Sequence, residues 1–422
     1  VNTCANYAPM TCRHCGAPVT LPLIDLGSAP PSNAYLSPEA LHAPERWYPL
    51  RVLVCEKCWL VQTEDFAQAD QLFDAEYAYF SSYASSWLAH AQTYVADMVS
   101  RLALGPQSHV VEVAANDGYL LQYVAQRGVS CLGIEPTAST AAAARAKGIP
   151  IIERFFCVTL ARELVAQGHA ADLMVANNVL AHVPNINDFV AGFAVLLKPQ
   201  GVATFEFPHL LQLVRQCQFD TLYHEHFSYL SFTTVQRIFA ANGLAVIDVQ
   251  ELPTHGGSLR VFATRADVHH HPQATPEAAA RVQQLLATEA AAGMLGQSFY
   301  RDFESQALRI KRKLLTFLLQ CQAQGLTVGA YGAAAKGNTL LNFAGVRPDL
   351  LPYVVDKNPA KLGKFLPGSR IPIVDGAHLR SHRPDRVLIL PWNLRDEVAA
   401  QLDYVHKWGG KFVVAVPRLE VF

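Results

Sequence analysis

The chain has 422 residues, room for two or three domains at roughly 150 residues each, so a single small module is excluded. Hydrophobic residues make up 51% and charged residues only 16%, against roughly 25% charged in an average soluble protein, which excludes a disordered chain and implies that much surface is internal or shared. With 34 Lys plus Arg against 35 Asp plus Glu, the net charge of −1 provides no global basic field, which argues against nucleic acid as a partner.

Residues 1–70 are rich in Pro and Cys, with short apolar runs such as Leu50 to Val54, and read as a small metal-organised module. A helical pattern from Ser82 to Arg101 opens a second region, residues 71–270. In it short apolar strands alternate with helical stretches: His109 to Ala114, Cys131 to Ile134, Asp172 to Ala176 and Val202 to Phe207. Such alternation builds an α/β fold, a parallel sheet covered by helices on both faces. A helix from Phe232 to Asn242 and two strand-like runs, Leu244 to Val249 and Ser258 to Thr264, complete that sheet with antiparallel strands. The tract His269 to His271, followed by proline, reads as a solvated loop. Residues 271–324 form a helical connector. Residues 325–422 form a second α/β unit with strands at Thr327 to Tyr331, Tyr353 to Val355, Arg386 to Leu390 and Lys411 to Val416. No run of about 18 apolar residues is present, and residues 1–10 lack the pattern of a secretory signal, so a cytoplasmic chain with no membrane partner is expected.

In a reducing compartment the nine cysteines are not expected to form disulfides; grouped ones point to metal. Cys12-x-x-Cys15 and Cys55-x-x-Cys58, 39 residues apart, predict a closed tetrahedral zinc site with a structural role. The first strand of the middle region runs into Glu112 to Tyr119, a strand–loop–helix junction with Asn116 and Gly118 in the loop. The next strand ends at Glu135, where an acid accepts hydrogen bonds from ribose hydroxyls in doubly wound folds. The G-x-G-x-x-G nest for a pyrophosphate is missing, which favours a nucleoside ligand without phosphate, such as S-adenosylmethionine.

Together with Tyr77 to Ser82, Asn177 to Val183, Tyr223 to Ser228, His255 to Arg260 and Gly329 to Thr339, these blocks make the chain resemble the bacterial nucleotide-sugar C-methyltransferases. The resemblance spans nearly the whole chain. It implies an N-terminal zinc module, a class I methyltransferase domain for S-adenosylmethionine, and a C-terminal Rossmann-like domain that helps hold a nucleotide-diphosphate keto-sugar. On the cofactor side it points to Glu112, Asn116, Gly118, Glu135 and Asn177.

Tyr223-His224-Glu225-His226 is the densest titratable cluster, placed where a loop can reach the carboxyl ends of the sheet. C-methylation beside a ketone needs a base, a donor to the enolate oxygen and an aligned methyl sulfonium. The resemblance makes His226 the base and Glu225 its orienting or substrate-binding partner. Tyr223, His182 and Tyr77 line the reacting face, with Tyr223 or His182 as donor to the oxyanion and His224 structural. Gly329-x-x-Gly332-x-x-x-Lys336-Gly337-Asn338 follows a strand and opens a helix, a site for an anion with a lysine alongside. Lys336, Asn338, Asp356, Arg260 and Tyr79 are the candidate substrate-binding residues. Asp356, closing the following strand, also supports a rival reading, a nicotinamide-dependent oxidoreductase on a nucleotide sugar. A third reading is a non-catalytic zinc-ribbon protein that binds a sugar nucleotide; it has little use for the cluster at Tyr223 to His226.

Overall fold

A computed structural model describes residues 10–66 and 80–422; Tyr77 and Tyr79 lie outside the described residues. The strands in chain order are β1 (Leu21–Ala29), β2 (Tyr48–Val54), β3 (Val61–Thr63), β4 (His109–Val113), β5 (Ser130–Ile134), β6 (Ile151–Ile152), β7 (Ala171–Asn177), β8 (Leu197–Pro208), β9 (Ser228–Tyr229), β10 (Leu244–Leu252) and β11 (Ser258–Arg265). The C-terminal strands are β12 (Val328–Tyr331), β13 (Val354–Val355), β14 (Ile373–Val374), β15 (Arg386–Ile389), β16 (Lys411–Val414) and β17 (Glu420–Val421).

The middle sheet has the order β10-β11-β8-β7-β4-β5-β6, parallel except for β11, which runs antiparallel to both neighbours. Helices cover both faces, so β4 and β7 are buried almost throughout and read as continuous apolar runs rather than alternating ones. Helix 232–241 starts where the Ser231 side chain accepts the Thr234 N–H. The C-terminal sheet has the order β14-β13-β12-β15-β16-β17, parallel up to its antiparallel last strand. Strands β6 and β14, two residues each, are too short to leave a periodic signal and escape a reading of the sequence alone. The connector is two helices, Pro276–Ala291 and Phe303–Ala323, broken near Gly293, whose φ of +83° suits glycine.

The N-terminal sheet, β1-β2-β3-β9, takes its last strand from the middle of the chain. Alternation along β2 points Leu50, Val52 and Val54 into a core shared with the connector and the C-terminal sheet. Leu53 and the following Cys55 join the core of the middle sheet. A module of this size has little interior of its own, and here it gains one by lying between the two larger units. Among the described residues no helix is long and apolar enough to cross a membrane.

Candidate active site

The four knuckle sulfurs of Cys12, Cys15, Cys55 and Cys58 lie within 4.8 Å of one another, with Cys12–Cys58 at 3.5 Å and Cys15–Cys55 at 3.6 Å. A tetrahedral zinc with Zn–S of about 2.3 Å needs sulfurs about 3.8 Å apart, so this donor set fits the metal with every position closed. Gly16 (φ +69°) and Trp59 (φ +65°) turn the chain just after each cysteine pair and bring the pairs face to face.

At the carboxyl ends of β4, β5 and β7, where the strand order reverses, a cleft of about 810 Å³ opens. Asn116, Glu135, Asn177 and His182 line it. Glu135 accepts the Asn116 N–H on one carboxylate oxygen and the Thr137 N–H on the other, each at 2.9 Å. The Thr137 and Thr140 hydroxyls also bond to this carboxylate, and a ribose hydroxyl would share it with them. Asn177, 8% exposed, has no hydrogen-bond partner for either amide atom among the described residues. A buried amide left open in a cleft lined by Trp87, Phe155, Phe156 and Phe189 fits a nucleoside with a polar tail. Glu112 and Gly118 sit behind this wall. Burial pushes the Glu112 carboxyl well above the ordinary carboxylate range, with the Tyr119 hydroxyl opposing. Gly118 has φ +74°, and a Cβ there would press on Ile149 and Ala144 at 3.2 and 3.3 Å.

The loop from Phe219 to Tyr229 runs beside this cleft. His226 Nδ1 lies 3.1 Å from the Thr221 carbonyl, which requires the proton on Nδ1 and leaves Nε2 as an acceptor. Its ring contacts Tyr223 at 4.0 Å and His182 at 4.6 Å between centroids. Burial, then His182, His255 and Lys336 nearby, hold its pKa well below 6.5, so the imidazole is neutral. His182 donates Nδ1–H to the Glu225 carbonyl at 2.7 Å, and burial lowers its pKa to about 4. Glu225 does not orient His226: one carboxylate oxygen accepts from the Asn33 N–H and Asn33 Nδ2, both at 3.2 Å, and the other has no partner among the described residues. His224 Nε2 lies 3.2 Å from both the Tyr48 and the Pro49 carbonyl, at the start of β2.

Lys336 lies half-buried beside this loop, donating to Asn393 Oδ1 at 2.7 Å with Nζ 4.9 Å above the Trp392 ring; Trp392 Nε1 donates to Asp220 at 2.7 Å. Burial lowers its pKa and Asp220 opposes. Asp356 lines a separate hollow of about 380 Å³ at the ends of β12 and β13, with Lys357, Arg380 and Tyr404. Two candidates face inward instead. Asn338, 1% exposed, donates to the Ser32 carbonyl at 2.6 Å and ties the N- and C-terminal units together. Arg260, 4% exposed, is paired with buried Glu206 at 2.8 Å and lies over Tyr94, a packing job with no opening to a substrate.

Reading the sequence missed Asn33, which holds Glu225, and Trp87, which lines the cleft; Asn33 sits in a Pro-rich stretch without acidic, basic or histidine neighbours, so nothing local marks it. Asn178 and His255, paired at 3.3 Å, stood inside quoted blocks without a role.

A family described as a putative zinc binding domain matches residues 12–73, one described as a methyltransferase domain matches 87–249, and one described as a C-methyltransferase C-terminal domain matches 253–417. The chain is 33% identical over 410 residues to the C-methyltransferase NovU of Streptomyces niveus, covering 97% of this chain and 96% of that one. Among solved structures, the PH0226 protein of Pyrococcus horikoshii is 13% identical over 48% of this chain and 100% of its own, with a TM-score of 0.37. Magnesium protoporphyrin IX methyltransferase of Synechocystis is 18% identical over 42% of this chain and 83% of its own, with a TM-score of 0.34.

Proposed function

The chain belongs to the S-adenosylmethionine-dependent C-methyltransferases, and on that premise we propose that it methylates the carbon beside the ketone of a nucleotide-linked keto-deoxysugar. One observation carries this reading: His226 is held as a neutral imidazole, its free Nε2 set by Thr221, one ring away from the His182 that lines the cofactor cleft. S-adenosylmethionine, when bound, supplies an electrophilic methyl on a sulfonium. His226 Nε2 takes the proton from the carbon. A base whose pKa is held so low removes a proton only from a carbon acidified by a ketone, and only with the enolate oxygen stabilised. Tyr223, lying against the His226 ring, donates its hydroxyl to that oxygen. The unpartnered carboxylate oxygen of Glu225 accepts from a sugar hydroxyl, with Asn33 fixing the carboxylate.

On the acceptor side, Lys336 and the first-turn amides of Ala335 to Gly337 hold the pyrophosphate, the amides of Gly332, Ala333, Ala334 and Asn338 being donated within the fold, and Asp356 holds the nucleoside; residues 71–270 and 325–422 act as the two ligand-binding units, with 1–70 as the zinc module and 271–324 as their connector. The aromatic wall of the cleft keeps water from the methyl donor. The test is incubation with labelled S-adenosylmethionine and a panel of nucleotide-linked keto-sugars, with exchange of the α-proton into deuterated solvent followed by NMR. Methylation of carbon with base-dependent exchange is expected; methyl transfer to oxygen or nitrogen overturns the reading.

A further inference from the structure

Arg13, the first of the two residues between Cys12 and Cys15, has its side chain only 6% exposed and bridges β3 to the loop that carries His226. Nε donates to the Phe227 carbonyl at 3.2 Å, Nη2 to the Thr63 carbonyl at 2.7 Å, and Nη1 to Asp65 Oδ2 at 2.8 Å, with Nη2 also on Asp65 Oδ1. The guanidinium lies 5.0 Å from the centre of the Phe227 ring. Its backbone N–H is fixed in turn by the buried Gln62 at 3.0 Å. The chain on the far side of this clamp is the one that carries His226. Thr63 Oγ1 donates to the His226 carbonyl at 2.6 Å, the Thr63 N–H donates to the Phe227 carbonyl at 3.1 Å, and Gln62 pairs with Ser228 across β3 and β9. Phe227 N–H then reaches the Ala181 carbonyl at 2.8 Å, beside His182. Phe227 and Asp65 also line the cofactor cleft.

We infer that Arg13 is a positioning residue for His226, carrying the rigidity of the zinc knuckle into the catalytic loop. The zinc-bound turn fixes the Arg13 backbone, the planar fork bridges β3 and Phe227, and the loop between Thr221 and Tyr229 is held at both ends. Lysine, a single point donor, cannot span three acceptors on two segments. A base displaced by about 1 Å loses up to about a hundredfold in rate, the scale on which such a clamp matters.

This inference rests on His226 being the base, and the experiment separates the two. Arg13→Ala and Arg13→Lys are each expected to retain one equivalent of zinc, to lower kcat about ten- to a hundredfold, and to change the KM of the keto-sugar less than about threefold. In a His226→Asn background, Arg13→Ala is expected to lower the residual rate less than about twofold, because there is no longer a base to position. The ring nitrogens of His226, followed by NMR in 15N-histidine protein and assigned by their loss in His226→Asn, should shift or broaden in Arg13→Ala without any substrate present. Wild-type kcat with zinc retained, full additivity in the cycle, or unmoved His226 signals overturns the role of Arg13. If Arg13→Ala fails to retain zinc, Arg13→Lys serves in its place by the same criteria. Wild-type methyl transfer by His226→Asn would overturn the base instead, and the NMR result for Arg13 would stand independently of it.

Discussion

The middle and C-terminal sheets each end their second strand on an acid, and the two acids are wired alike. Glu135 takes one N–H from the loop after β4 and one from Thr137, two residues on; Asp356 takes the Ala333 N–H after β12 at 2.7 Å and that of Asn358, two residues on, at 2.8 Å. In both, the carboxylate latches the first loop of the fold to the second, and ribose binding would draw on what capacity is left. An acid at this position therefore marks a doubly wound fold without naming its ligand. What separates the two sites is their surroundings: an aromatic cleft of about 810 Å³ in the one, and in the other a hollow of about 380 Å³ lined by two acids, Asp356 and Asp375, and two cations, Lys357 and Arg380. Membership of the C-methyltransferases sets aside the nicotinamide oxidoreductase that Asp356 had suggested and the non-catalytic binder.

The comparison breaks most sharply at the point between the two sites. His226→Asn keeps size and polarity but cannot act as a base, and methyl transfer should fall by roughly 10²–10⁴-fold while adenosylhomocysteine and the nucleotide sugar still bind. Turnover and calorimetry on the same preparation check it; wild-type turnover would place the base elsewhere. The two acids then allow a crossed test. Removing a charged acceptor costs on the order of 1.5–3 kcal/mol, so Glu135→Ala should weaken adenosylhomocysteine roughly ten- to a hundredfold and leave the nucleoside diphosphate alone, with Asp356→Ala doing the reverse. If either variant weakens both ligands equally, the assignment of one ligand to each sheet fails.

A smaller effect is expected from Lys336→Ala, which should raise the acceptor KM by several-fold, roughly 1 kcal/mol of binding, with less change in kcat, since the contact exists before and during reaction. A larger fall in kcat than rise in KM would move Lys336 from the pyrophosphate to the reacting centre, which its nearness to His226 permits. The smallest effect is a displacement along the pH axis. A base whose pKa is depressed stays unprotonated until pH falls below its own value, so the acid limb of kcat/KM should lie below 6.5, the ordinary histidine value. Lys336→Ala removes one of the charges depressing it and should move that limb upward; a limb at or above 6.5 in the wild type would contradict the neutral, buried imidazole.

By itself the sequence determined what is written in local spacing. The cysteine pairs announce their metal site because two Cys-x-x-Cys knuckles together supply the four thiolates of a closed tetrahedron. The parallel strands are legible as short apolar runs, and Glu135 and Asp356 because a strand end in a doubly wound fold has a fixed chemistry. Tyr223 to His226 stood out by density of titratable groups. Only the tertiary structure decided how those groups are used. The atom that orients His226 is a backbone carbonyl, identical at every residue and invisible in a sequence; the one expected there, on Glu225, turns instead to Asn33, 192 positions away. Asn338 and Arg260 look like binding residues until burial turns them inward, against Ser32 and Glu206. The N-terminal module depends on the rest of the chain for the same reason: β2 buries Leu50, Val52 and Val54 on one face and Leu53 on the other, and which partners they meet is set by contacts between distant segments that no local pattern records.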